Sequence, residues 1–142
     1  MMVTNWHLHP KADIQLTTWS NVDVTVNEDG TRTYHANAGQ GTLNPFSRMF
    51  GGTSELGTVI CAVKFKEQHA NQEGSGSTVV RNGEKDGVWV YRIYKPNYWS
   101  PYFNLQSAAL TPIALAIYTS EDWERLQSMG VTFFDGDTMP RA

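Results

Sequence analysis

Two closely spaced histidines are among the side chains of this 142-residue sequence that could do chemistry. His7 and His9 are separated by one residue, so on a β-strand both imidazoles would project from the same face, as a metal site requires. A spacing of two is frequent by chance, and Pro10 follows directly. The sequence therefore predicts no metal or other cofactor, and His7 and His9 are the candidate ligands if one binds.

The single cysteine and the acidic pairs have structural interpretations that require no catalytic role. Cys61 lies among apolar residues in a predicted strand, whereas a reactive thiolate needs an open, electropositive setting. Glu121 and Asp122 are expected at a helix N-terminus, and Asp135 and Asp137, separated by one glycine, in a turn. No nucleophile elbow or phosphate-binding loop is present. The sequence favours a non-enzymatic protein.

Charge and hydropathy narrow the classes of partner. Fourteen acids and eleven bases give a net charge of −3, and no basic cluster occurs, which argues against nucleic acid. No apolar run approaches a membrane span, so no membrane partner is expected. His7, His9 and Lys11 lie where a signal peptide would need an apolar core. We expect synthesis in the cytoplasm without a signal peptide.

The stretch 88–103 is the most aromatic part of the chain, with seven aromatic residues in sixteen. Its first half alternates: Trp89, Tyr91 and Ile93 fall on one face, while Val88 and Val90 fall on the other, followed there by a basic and an aromatic residue. Apolar side chains on both faces predict a central strand.

A predicted aromatic loop, residues 95–103, follows this strand. Pro96 removes a ladder donor, and three further aromatic residues follow before Phe103. Such rings either close the end of the hydrophobic core or form a contact surface, and the sequence leaves both open. The binding candidates from this loop are Tyr98, Trp99 and Tyr102.

A second long loop is predicted at residues 37–57, which contain five glycines. Its bulky residues include Phe46 and Phe50, which are expected to pin it to the surface or to reach a neighbouring subunit. Residues 68–77 are polar and rich in Gly and Ser, and they predict a third loop.

The remaining elements predict one β-rich domain spanning residues 1–142. Alternating or apolar strands are expected at 13–19, 22–26, 31–36, 59–66, 78–81 and 113–118, with a turn at Gly30. Thr119 with Asp122 three positions later predicts the start of one helix, and Gly130 its end. Seven or eight strands and one short C-terminal helix indicate an antiparallel β-sandwich or a small barrel.

One segment carries a resemblance. Residues 118–134 contain a Tyr-Thr pair, an acid, an aromatic residue and a Leu ahead of a short apolar stretch. This order resembles a segment of bacteriophage structural proteins, and the resemblance implies a virion component. It implies no role for any individual residue.

Three functions are consistent with these features. The leading hypothesis is a structural protein of a phage or virus (a decoration, head–tail or tail protein) that contacts itself or other subunits through the aromatic loop and the glycine-rich loop. A carbohydrate-binding module would use the same rings to stack on a glycan. A cofactor-independent enzyme or small-ligand barrel would line a cavity with Trp89, Tyr91 and Arg92.

Overall fold

Antiparallel β-strands dominate the computed structural model, which describes residues 5–7, 11–46, 57–68, 71–73, 77–94, 102–105 and 109–130. Within these ranges the chain forms ten strands and one helix. The strands make two four-stranded sheets and one two-stranded hairpin.

Sheet I consists of four short strands. In the order β1, β4, β9 and β6, these are Thr17–Trp19, Thr42–Asn44, Tyr102–Asn104 and Asn71–Glu73. All three pairings are antiparallel. Leu43 lies opposite Phe103 in the register, and both side chains are buried. Sheet I thus contributes to the core through its two middle strands, β4 and β9.

Sheet II is built from longer strands. In the order β10, β5, β8 and β7, these are Pro112–Thr119, Thr58–Phe65, Val88–Tyr94 and Ser77–Arg81. The predicted central strand is confirmed, because β8 pairs with β5 on one side and with β7 on the other. A bulge between Val79 and Arg81 interrupts the outer pairing.

The main hydrophobic core lies between the two sheets. Phe103 of sheet I makes edge-to-face contacts with Phe65, Trp89 and Tyr91 of sheet II, at ring-centroid distances of 4.9, 6.3 and 5.9 Å. Trp89, Tyr91 and Ile93 belong to this core, as the alternation of β8 predicts. Packing of one sheet on the other is the arrangement of a β-sandwich.

The opposite face of sheet II is covered by helix α1, Ser120–Ser128. Trp123 and Leu126 project from one side of this helix onto a second cluster that includes Val88, Val90 and Tyr118. Thr119 caps the helix, because its hydroxyl accepts a hydrogen bond from the Asp122 N–H at 3.2 Å. The helix therefore explains why β8 is apolar on both faces.

The hairpin of β2, Val22–Val26, and β3, Arg32–Ala36, is joined to the sandwich through Tyr34. Tyr34 forms a backbone bridge with Leu110, and its buried ring belongs to the main core. Its hydroxyl accepts a hydrogen bond from the Leu16 N–H at 2.7 Å. The predicted hairpin is confirmed, and its Tyr34 packs in the main core.

Several sequence-based boundaries are wrong. The predicted strand at 13–19 is limited to β1, because Ala12 has a φ of +54° and the Leu16 N–H bonds a side chain. The predicted loops at 37–57, 68–77 and 95–103 contain strands β4, β6 and β9. In the part of the chain that is described, the two end strands of each sheet do not pair with each other, so the barrel alternative is wrong for both sheets.

Candidate interaction surface

Two tyrosines are described near the ends of the predicted aromatic loop, one just before it and one within it. Tyr94 ends β8, and its side chain is 68% exposed. Tyr102 begins β9 and is partly buried, opposite Glu73 in the register. The proposed anchors Tyr98 and Trp99 lie between them, outside the described residues. Of these two described tyrosines, Tyr94 is exposed and Tyr102 is half-buried.

The two phenylalanines predicted to anchor the glycine-rich loop have different outcomes. Phe46 is completely buried, belongs to the main core and contacts the ring of His7 edge-to-face at 5.9 Å. Its burial fits the predicted role of pinning the loop to its own chain, and its side chain is not available as an anchor for a neighbouring subunit. Phe50 lies outside the described residues.

Exposed aliphatic side chains lie on β7, the strand that pairs with β8. Val79 and Val80 are 45% and 37% exposed. Two basic residues accompany them: Arg92 is exposed on β8, and Arg81 forms an ion pair with Asp86. We call Val79, Val80, Arg92 and Tyr94 the β7–β8 surface; Val79 lies opposite Tyr91 in the register, so it faces the other side of sheet II from Arg92 and Tyr94. This surface includes a tyrosine and an arginine, two residue types that are enriched in protein interfaces.

The predicted ligand cavity of Trp89, Tyr91 and Arg92 does not form. Trp89 and Tyr91 stack in parallel in the main core with centroids 6.4 Å apart, while Arg92 lies on the other face of β8 and is exposed. Burial raises the pKa of Tyr91, so its phenol stays protonated at neutral pH. This grouping offers no base for catalysis.

His7 is committed to a structural contact. Its Nε2 lies 2.9 Å from the Pro45 carbonyl oxygen, and since a carbonyl can only accept, this nitrogen carries the proton. That atom is therefore not available to a metal, and His9 lies outside the described residues. In the described ranges, no three His, Cys, Asp or Glu side chains are grouped closely enough to hold a metal ion.

Cys61 is buried in the main core, as its sequence context predicts. Desolvation raises the pKa of its thiol, which suppresses the reactive thiolate. Glu121 and Asp122 also occupy their predicted place in the first turn of α1, where both contact Arg125. Asp135 and Asp137 lie outside the described residues.

Sequence reasoning missed the exposure of Tyr94 and the buried contacts of Asn5. Tyr94 continues the alternation of β8, so the local sequence gives no sign that its side chain is exposed. It is exposed because the second cluster, which covers Val88 and Val90 on the same face, does not extend to Tyr94. Asn5 was also missed, although its side chain is completely buried and bonds the backbone of β10. A polar residue close to the chain start carries no pattern from which such a long-range contact could be inferred.

Comparison with known proteins gives no significant match to a family model, a curated protein or a solved structure. Among the described residues, no helix has both the length and the apolar character needed to cross a membrane.

Proposed function

We propose that this chain is a non-enzymatic assembly subunit, a small structural protein of a phage or virus virion. Its contacts with itself or with other subunits are made by Tyr98, Trp99 and Tyr102 of the aromatic loop, together with the β7–β8 surface. Phe50 of the glycine-rich loop is a further anchor. A decoration, head–tail or tail protein would use a rigid β-sandwich in this way.

The observation that carries this proposal is the exposure of Tyr94 on β8 and of Val79 and Val80 on the neighbouring strand β7. Large apolar side chains in water favour association, because each Å² of apolar surface that is buried stabilises the complex by about 25 cal/mol. Tyr and Trp are enriched among the residues that dominate interface energies. A subunit contact that spans the β7 edge of sheet II would bury the rings and the valines together.

A glycan would cover less of this surface than a protein partner would. Sugar faces stack on aromatic rings, so Tyr94 and the loop rings could bind one, but Val79 and Val80 would remain unpaired. The aliphatic pair therefore favours a protein partner over a carbohydrate. Carbohydrate binding is the alternative outcome of the experiment below.

The experiment is light scattering of the purified full chain over a wide concentration range, with Trp99→Ala as the test variant. Loss of an interface anchor of this type weakens association by about 2 kcal/mol or more, which is roughly a thirtyfold change in the dissociation constant. Trp19→Ala is the matched control, because Trp19 is also exposed, at 52%, but lies on β1 of sheet I.

The predicted result is a concentration-dependent oligomer that Trp99→Ala weakens and Trp19→Ala preserves, with unchanged circular dichroism in both variants. A wild-type chain that stays monomeric at every concentration would contradict self-assembly. Titration of that monomer with a glycan array would then identify the carbohydrate-binding function, if Trp99→Ala abolishes the signal.

A further inference from the structure

The outward face of sheet I carries a row of one aromatic and two neutral polar side chains. Leu43 and Phe103 lie opposite each other and are buried in the core, so the residues next to them in their strands project to the other side of the sheet. There Trp19 lies opposite Thr42, and Thr42 lies opposite Asn104. The row crosses three strands, which spans about 10 Å at a strand spacing of about 4.8 Å.

Trp19 is the exposed member of this row. Its side chain is 52% exposed, whereas those of Thr42 and Asn104 are half-buried. Among the described residues of sheet I, no other large apolar side chain is exposed. The row therefore offers one ring for stacking, bordered by a hydroxyl and an amide instead of further apolar area.

The hydroxyl of Thr42 is held in one orientation. It donates its proton to the side-chain oxygen of Asn44 at 3.0 Å, and Asn44 is buried. A hydroxyl has one donor proton and two acceptor lone pairs, so the Thr42 oxygen keeps capacity to accept a hydrogen bond from a ligand hydroxyl. Because a buried partner fixes this group in advance, less freedom is lost when a ligand binds.

The turn that follows Trp19 has an unusual backbone conformation. Ser20 and Asn21 have φ values of +61° and +22°, although neither is glycine. The Asn21 carbonyl accepts a hydrogen bond from the Asn37 N–H at 2.8 Å, and a Cβ added at Gly41 would lie 3.2 Å from the same carbonyl oxygen. Such conformations persist where surrounding contacts hold them, and they are concentrated at functional sites. Ser20 and Asn21 are both exposed, so they add polar groups beside the indole.

We propose that the outward face of sheet I binds a neutral glycan, with one sugar ring stacked on Trp19 and a sugar hydroxyl bonded to Thr42. A sugar ring has an apolar face and a rim of hydroxyls, which match an indole bordered by neutral polar groups. The strands of sheet I contain one charged residue, the acidic Glu73, whereas an anionic sugar would need Arg or Lys. The described part of this face has no exposed aliphatic side chain, so it favours a sugar over a protein partner.

The test is isothermal titration of the purified full chain with three neutral probes, cellohexaose, mannohexaose and chitohexaose, and with an oligogalacturonate as the acidic probe. We expect saturable binding of at least one neutral probe and no binding of the acidic one. Trp19→Ala should reduce the affinity by about tenfold or more, and Trp19→Phe, which keeps an aromatic face, should recover part of this loss. Thr42→Val keeps the branched shape but removes the hydroxyl, and should reduce the affinity by about fivefold.

Tyr94→Ala is the matched control, because Tyr94 is also an exposed aromatic residue but lies on β8 of sheet II. It should leave the affinity unchanged, and the circular dichroism spectrum of every variant should match that of the wild type. Absence of binding to all three neutral probes would overturn the glycan site. Equal affinities of the wild type and Trp19→Ala would overturn it as well.

Glycan binding on sheet I adds to the proposed assembly function and can fail separately from it. Trp19→Ala is expected to remove glycan binding and to preserve self-association, whereas Trp99→Ala is expected to do the reverse. Glycan binding that Trp99→Ala abolishes and Trp19→Ala preserves would assign the sugar to the aromatic loop and overturn the site on sheet I.

Discussion

Gly83 and Gly87 show how single residues fix the turn before β8. The sequence contains two candidate turn pairs there, Asn82-Gly83 and Asp86-Gly87, and local pattern alone does not choose between them. In the structure Gly87 has a φ of +74°, and its N–H donates to the Gly83 carbonyl at 2.7 Å. Gly83 is required for a steric reason instead, because a Cβ at this position would lie 2.4 Å from Cδ1 of Trp89.

Gly83→Ala is expected to destabilise the fold by about 1–3 kcal/mol, because the new methyl group overlaps a buried indole that cannot move without disturbing the core. The measurement is the free energy of unfolding in urea. Gly30→Ala is the control, since Gly30 has a φ of +87° but no neighbour within 4 Å of an added Cβ. The Gly30→Ala variant should lose only the cost of placing alanine in the left-handed region, about 1 kcal/mol. Wild-type stability for Gly83→Ala would refute the steric explanation.

The face of each residue in β8 was predictable from period-two alternation, and the structure confirms it for Trp89, Tyr91 and Ile93. Whether a residue on the second face is buried or exposed was not predictable. Val90 is buried, but Tyr94, four positions later on the same face, is exposed. The difference depends on how much of sheet II the second cluster around α1 extends over, which local sequence does not encode.

At the scale of elements, a polar network joins the hairpin to sheet II. The Glu67 carboxylate accepts from the Thr111 N–H at 2.7 Å, and the Thr111 hydroxyl lies 2.8 Å from that of Thr33 on β3. At the hairpin turn, Lys66 donates to Asp29 at 2.6 Å. The hairpin is therefore held by hydrogen bonds as well as by the buried Tyr34.

The Asp29 contact predicts acid-dependent stability. The hydrogen bond from Lys66, followed by bonds from Thr31, lowers the pKa of Asp29 below its ordinary value of 3.8. A lowered folded-state pKa means that the contribution to stability is complete above the unfolded pKa and is lost as the pH falls towards the folded pKa. Below about pH 4, the wild-type unfolding midpoint should therefore fall more steeply than that of Asp29→Asn.

Lys66→Gln provides the matched control for this pH dependence. It removes the largest cause of the lowered pKa while keeping the carboxylate, so its acid sensitivity should lie between those of the wild type and Asp29→Asn. Parallel midpoint curves for all three proteins below pH 4 would show that the contact between Asp29 and Lys66 contributes nothing to the pH dependence.

Long elements were predictable and short ones were not. Strands β5 and β10 contain eight residues each, and their apolar runs are visible in the sequence. Strands β4, β6 and β9 contain three residues each and lie inside segments predicted as loops. A three-residue strand spans too little of a period to produce a pattern, and it becomes a strand only because a partner strand supplies its hydrogen bonds.

At the scale of the whole molecule, Phe103 connects the two sheets. It is completely buried and contacts three aromatic rings of sheet II. Phe103→Ala should lower the free energy of unfolding by about 3–5 kcal/mol, through lost burial and the cavity left behind. Tyr94→Ala should change it by less than about 0.5 kcal/mol, because that ring is exposed. Urea unfolding compares the two, and similar losses would contradict this account of the core.

The sequence by itself determined the β class, the central strand, the hairpin and the capped helix. Each depends on a local pattern of alternation, turn residues or capping that a few neighbouring residues specify. Only the tertiary structure decided that Phe46 and Phe103 are core residues, that Tyr94 is exposed and that Asn5 covers the edge of β10. Burial and edge pairing depend on which distant segments pack together, and Asn5 bonds a residue 112 positions away.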